Sequence, residues 1–241
     1  MHRLCGIVTD VAGTITSAKP PLVAFQKLAK LTPHLCWTES KIIDLMGQSK
    51  RAHLRSLCTS DEEAADLKSK YDELLARELS SNCALLPGVI NVLRALRSEY
   101  GLKIGINTGY ERHHLDMLLN QWPADLFDNS VASDEVPRGR PFPDAIRKIC
   151  VKWQCQPTEV LAVGDTIYDV QAAQNAGSHA VGLTRHSIYG EGSQDKLSGP
   201  NCRVCADWRD LLSYIRRFNA CRCGIPHEKK CLHWPPEFRT E

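Results

Sequence analysis

The sequence predicts an α/β fold: a Rossmann-like core in which a parallel sheet carries helices on both faces, with an all-helical cap domain inserted near its start. Three observations predict it. Short apolar runs at Leu4–Thr9, Lys103–Asn107, Val160–Val163 and His179–Leu183 each stop at a polar or glycine-containing break, as buried strands do. Helical patterns at Gly88–Ser98, Arg112–Gln121, Pro143–Trp153 and Asp169–Asn175 alternate with these runs, which is how parallel sheets are built. The stretch 18–83 breaks the alternation. It carries only helical signals, at Pro21–Leu31, Thr38–Met46, Ser49–Leu57 and Ser60–Leu79, the last with Asp61, Glu62 and Glu63 in its first turn. An amphipathic helix at Asp207–Arg217 closes the core. The expected division is a catalytic core over 1–17 and 84–218, a cap over 18–83 and a Cys/His-containing tail over 219–241.

A chain of 241 residues is long enough to bury its core without disulfides or metals. Thirty Lys and Arg against 28 Asp and Glu leave a net charge of +2, which argues against a protein built to grip nucleic acid or anionic lipid. No apolar run approaches the roughly 18 residues a membrane span requires. Asp10 interrupts the opening run before a secretory segment can form. A soluble, cytoplasmic protein is therefore expected, with its eleven cysteines mostly reduced and buried.

Four polar segments follow the strands: Asp10-Val-Ala-Gly-Thr14, Asn107-Thr108-Gly109-Tyr110, Gly139-Arg140-Pro141 in the loop after a third core strand, and Gly164-Asp165-Thr166 with Asp169. Ligands of open parallel sheets sit at these carboxyl ends. An aspartate there can attack phosphorus and form an aspartyl phosphate, dividing one hard displacement into two easier ones. Hydroxyls, loop N–H groups and the Arg140 cation can hold the phosphoryl oxygens, and Asp165 and Asp169 offer hard oxygen ligands for Mg²⁺. A single such aspartate is more often a turn or cap residue. Four segments in this order outweigh that reading, and together they resemble the haloacid dehalogenase superfamily of phosphotransferases over nearly the whole chain.

One departure is informative. Most phosphatases of that superfamily place a second aspartate two positions after the nucleophile, to protonate the leaving alkoxide; here the position holds Ala12. The chain looks like the phosphonoacetaldehyde hydrolase branch, whose cap carries a Met-Gly-x-x-Lys-x-x-His segment, matched by Met46, Gly47, Lys50 and His53. Thr108-Gly109-Tyr110 and the segment from Asp134 to Pro143 are similar to that family as well. The chemistry wants such a lysine. A phosphoryl group leaves carbon only when the carbanion behind it is stabilised, and a protonated imine is the electron sink. His53 lies one helical turn beyond Lys50, placed for proton transfer.

The resemblance implies Asp10, Lys50, His53, Thr108 and Arg140 as catalytic residues, and Thr14, Met46, Gly109 and Tyr110 as substrate-binding residues. It implies Mg²⁺ at Asp10, Ala12, Asp165 and Asp169, a small-molecule phosphonate substrate and a homodimer formed through the cap. An alternative is a Mg²⁺-dependent phosphatase, or a hydrolase of a related phosphonate, that uses Asp10 without an imine. Relatives of the phosphonatase-like kind share the alanine and the Met-Gly-x-x-Lys segment but generally lack the histidine. A non-catalytic binding module working through its tail is a further reading. In that tail Cys221, Cys223, His227, Cys231 and His233 could ligate Zn²⁺, although Cys-x-Cys is tighter than the usual finger spacing. Cys202 and Cys205 are expected to flank the last core strand, and His113 and His114 to be exposed at a helix start.

Overall fold

The computed structural model describes residues 4–47, 50–81 and 83–220, without the side chains of 45, 51–53, 191 and 218–220. Among the described residues, six strands form one parallel sheet: β1 (Gly6–Thr9), β2 (Lys103–Asn107), β3 (Asn129–Val131), β4 (Val160–Gly164), β5 (His179–Leu183) and β6 (Cys202–Cys205), in the order β3-β2-β1-β4-β5-β6. β3 is the core strand that the sequence reading placed before Gly139 without bounds; at three residues it is too short to show a pattern. Cys202 and Cys205 terminate β6, and both are buried.

Side chains alternate across the strands, and each face collects its own helices. Ile7, Ile104, Ile106, Leu161 and Val163 point to one face. There they meet α5 (Val89–Tyr100), α6 (Arg112–Leu119) and α10 (Trp208–Ala220). Val8, Val160, Ala162 and Ala180 point to the other, against α7 (Asp144–Trp153), α8 (Ile167–Ala176) and the short α9 (Ser193–Leu197). Strand order reverses between β1 and β4, so the crevice where the fold accepts ligands opens beyond their carboxyl ends.

Between β1 and β2 the chain forms α1 (Lys19–Leu31), α2 (Glu39–Leu45), α3 (Lys50–Ser56) and α4 (Asp61–Ser81). Leu67, Tyr71, Leu75 and Leu79 recur every fourth residue along α4 and pack on Ala24, Phe25 and Leu28 of α1 and Leu54 of α3. The Phe25 and Tyr71 rings lie 4.4 Å apart at their centres. Thr38 and Ser60 cap α2 and α4, their hydroxyls accepting the Lys41 and Glu63 amides at 3.2 and 3.1 Å.

One expectation is corrected. His113 is exposed, but His114 is 1% exposed, because the first turn of α6 packs against α4 and the His114 ring bonds the Asp72 carbonyl at 3.2 Å. Pairing between helices distant in sequence decides that burial. The cysteine- and histidine-bearing tail from 221 onward lies outside the described residues. Among those that are described, no helix is long and apolar enough to cross a membrane.

Candidate active site

The crevice is a partly open cavity of about 360 Å³, its mouth included, lined from the core by Asp10, Thr108, Tyr110, Arg140 and Asp165 and from the inserted helices by Met46 and Lys50. Ala12 and Gly109 line it too. Asp10 follows β1 directly, and its N–H donates to the Val163 carbonyl at 2.8 Å, which ties the loop to the end of β4. The chain then turns tightly, with Ile15 and Thr16 amides both donating to the Val11 carbonyl at 2.9 Å. Gly13 stands at φ +83° in this turn, and a Cβ there would lie 2.2 Å from an Asp165 oxygen. Only glycine lets the two loops approach so closely.

Asp165 follows β4 directly, with both carboxylate oxygens engaged. Oδ1 accepts the Thr14 hydroxyl at 3.1 Å, and Oδ2 accepts the Ile188 N–H at 3.3 Å. Ser187 donates its hydroxyl to the Asp165 carbonyl at 2.6 Å. Asp169 Oδ2 accepts the N–H and hydroxyl of Thr166 at 3.0 and 2.6 Å, while its Oδ1 bonds Arg140. Arg140 Nη1 also lies 2.9 Å from Asp10 Oδ1, an ion pair without hydrogen-bond alignment, so that oxygen has no hydrogen-bond partner among the described residues.

Three buried carboxylates thus face Arg140 and Lys50. Burial pushes the Asp10 carboxyl up to about 7 against the pull of Arg140, with Asp169 adding to the rise. Burial, and then the charges of Asp10 and Asp169, raise Asp165 well above the usual carboxylate range. Such a concentration of unneutralised carboxylates is what a divalent cation relieves. Asp10, Asp165 and Asp169 each offer an oxygen within 4.8 Å of the others. An all-oxygen set of this charge suits Mg²⁺, and Asp10 Oδ1 accepts no hydrogen bond from the described residues. Ala12 could contribute only its backbone carbonyl.

Lys50 begins α3 and is 8% exposed, its ammonium 5.5 Å from the centre of the Phe25 ring. Burial lowers its pKa to about 7, assisted by the Arg140 charge and opposed by Asp10 and Asp169. The amine is therefore substantially neutral near pH 7, the form that attacks a carbonyl. Met46 is buried beside it. The next residue, Gly47, has φ +86°, and a Cβ there would come within 2.6 Å of Thr166 Oγ1. Gly47 therefore rests directly on the start of α8. His53 lies on α3 one turn past Lys50, with its side chain outside the described residues.

Tyr110 is 4% exposed, and its hydroxyl has no hydrogen-bond partner among the described residues. Burial and the Asp10 and Asp165 charges raise its pKa, so it stays a phenol and a potential donor. The Thr108 hydroxyl accepts the Tyr110 N–H at 3.2 Å. Two of the expected residues sit behind the cavity: Thr14 acts on Asp165, and Asp169 sits behind Arg140 and Thr166. Sequence reasoning missed Phe25 and Ile188. Phe25 reads as one more apolar residue on a helix face, and Ile188 acts through a backbone N–H that no sequence pattern marks.

The profile of haloacid dehalogenase-like hydrolases matches residues 6–177. The chain is 32% identical over 204 residues to the phosphonoacetaldehyde hydrolase of Bacteroides fragilis, covering 76% of this chain and 77% of that one. It is 31% identical over 196 residues to the phosphoglycolate phosphatase of Vibrio vulnificus, covering 77% and 86%. A crystal structure of a hydrolase from Pseudomonas syringae superposes with a TM-score of 0.76 at 26% identity, over 88% of this chain and 98% of that one.

Proposed function

Because the chain belongs to the haloacid dehalogenase-like hydrolase family, we propose that it cleaves the carbon–phosphorus bond of phosphonoacetaldehyde, giving acetaldehyde and inorganic phosphate. The observation that carries this reading is Lys50, a buried lysine with its pKa lowered to about 7, lining the same cavity as Asp10. An ester phosphatase needs no such amine. Ala12 fits as well, since an enamine leaving group requires no acid at that position.

In this scheme the neutral Lys50 amine adds to the aldehyde and loses water, leaving a protonated imine. The Asp10 carboxylate attacks phosphorus while the carbon–phosphorus electron pair moves into the imine, forming an enamine and an aspartyl phosphate. Protonation of the enamine carbon, the role we assign to His53, and hydrolysis of the imine release acetaldehyde and restore Lys50. Water then cleaves the aspartyl phosphate. Arg140 and Thr108 hold the phosphonate oxygens, Gly109 lets the loop close on them, and Met46 and Tyr110 bound the aldehyde end. Asp10, Asp165, Asp169 and the Ala12 carbonyl would hold Mg²⁺, with Thr14 orienting Asp165; the ion supplies positive charge to the transferring group. The same reading has two copies pairing through the inserted helices.

The test is acetaldehyde release from phosphonoacetaldehyde with Mg²⁺, coupled to an alcohol dehydrogenase, with borohydride trapping alongside. Lys50→Arg keeps the charge and removes the nucleophilic amine; turnover should fall on the order of 10³-fold, with no trapped adduct. The similarity to phosphoglycolate phosphatases favours one rival, an ester phosphatase working through Asp10 alone. Phosphoglycolate hydrolysis that survives Lys50→Arg, without acetaldehyde release by the parent, would establish the rival.

A further inference from the structure

A second group of metal-ligand side chains lies away from the cavity, where an inserted helix meets the core. Asp72 on α4, with His113 and His114 in the first turn of α6, each place one ligand atom within 4.8 Å of the others. We propose that this cluster binds a divalent d-block cation such as Zn²⁺, and that the bound ion clamps α4 to α6.

The donor chemistry separates this site from the active one. Two imidazoles with a carboxylate suit Zn²⁺, Co²⁺ or Ni²⁺, whereas the cluster of Asp10, Asp165 and Asp169 suits Mg²⁺. Glu111 adds a second carboxylate, its Oε2 lying 3.9 Å from His113 Nδ1. The two rings are adjacent, with centres 3.8 Å apart. His114 Nε2 lies 3.2 Å from the Asp72 carbonyl, which can only accept, so Nε2 carries the proton and Nδ1 keeps its lone pair. A ring nitrogen held by a backbone carbonyl is how metal-binding histidines are commonly oriented. Burial also favours neutral His114, the form able to ligate. The site is open to an arriving ion, since the His113 side chain is 56% exposed and that of Asp72 24%.

A cation already occupies part of this place. Lys68 Nζ lies 2.5 Å from Asp72 Oδ2 and 2.8 Å from Glu111 Oε1, drawing together the two carboxylates that a metal would share. The ion must displace that ammonium, which gives the proposal a prediction of opposite sign to ordinary ligand removal: deleting Lys68 should tighten binding. The consequence is mechanical. α4 belongs to the inserted helices that carry one wall of the cavity and α6 to the core, so an ion ligated by both opposes their separation.

The experiment uses the full chain, freed of metal by chelation and held in saturating Mg²⁺ to fill the aspartate site, then titrated with Co²⁺ and followed by absorption. One equivalent should bind with visible d–d bands of an imidazole and carboxylate site. His113→Ala should lose that equivalent, Asp72→Asn should weaken it at least tenfold, and Lys68→Ala should tighten it several-fold. Zn²⁺ should displace the Co²⁺ and slow amide exchange in both α4 and α6. Binding unchanged by His113→Ala would overturn the site. So would an intense near-ultraviolet thiolate-to-cobalt band as the sole signal, because it would assign the ion to cysteines. Binding that leaves exchange in α4 and α6 unchanged would overturn the clamp. None of these readouts depends on which phosphorus compound the enzyme hydrolyses.

Discussion

Lys50 owes its reactivity to its surroundings and not to its residue type. An exposed lysine with a pKa near 10.5 is almost wholly protonated at neutral pH, whereas burial and Arg140 bring Lys50 to about 7. Borohydride trapping of an aldehyde on Lys50 should therefore rise with pH and level off just above 7. Below that it should fall about tenfold per pH unit as the ammonium takes over. A trapping rate that climbs steadily to pH 10 would show an ordinary lysine. Asp165 makes the complementary case, since burial, and then the neighbouring Asp10 and Asp169 charges, raise its folded pKa. Asp165→Asn keeps acceptor oxygen for Ile188 and removes one negative charge. The metal-free variant should be more stable than the parent by about 1–2 kcal/mol in denaturant unfolding, and its melting temperature should no longer respond to Mg²⁺.

Elements set the distances between these residues. Gly47, three residues before Lys50, stands at φ +86° against Thr166, so a displacement there is passed on to Lys50 at the start of α3. Gly47→Ala adds a Cβ in the left-handed region and inside contact distance of the core. The strain is about 1–2 kcal/mol, and we expect roughly a tenfold higher KM with a melting temperature lowered by only a few degrees. Steady-state kinetics beside a thermal melt separate this from a general loss of fold. Helix ends of this kind were only partly legible in the sequence. The Ser60 cap and the acidic first turn marked the start of α4, but nothing local marked that His114 would be buried under α4. That depended on which helices meet.

At the scale of the whole molecule, the site places a pH-dependent load on folding. Asp10 has a folded pKa of about 7 against an ordinary 3.8, so between those values the folded chain binds more protons than the unfolded one and loses stability as pH rises. Lys50, lowered from 10.5 to about 7, has the opposite sign: above pH 7 the unfolded chain binds more protons, and stability returns as pH rises. The metal-free protein should accordingly melt lower at pH 7 than at pH 5.5. Mg²⁺ should raise the melting temperature at pH 7.5 far more than at pH 5.5, where protons compete for Asp10. An equal Mg²⁺ effect at both values would count against ligation by Asp10. Calorimetry across this range reads both effects.

Some of this protein was determined by the sequence alone. Buried parallel strands are short uninterrupted apolar runs, and the helices between them are periodic, so the alternation and its interruption over 18–83 could be read directly. The cavity-lining residues after β1, β2 and β4 could be read because chemistry in this fold collects at strand ends, and Met46, Gly47 and Lys50, which line the cavity too, because they match a segment of the family that the chain resembles. Tertiary structure alone decided the rest. It turned Thr14 onto Asp165 instead of the cavity, brought Phe25 beneath Lys50 and aimed the Ile188 amide at Asp165. It also set Asp72 beside His113 and His114. These are contacts between residues distant along the chain, made by backbone groups or by side chains whose local pattern matches ordinary core and surface positions. Burial and the sum of neighbouring charges, which set the protonation of Asp10 and Lys50, exist only once the inserted helices close over the sheet.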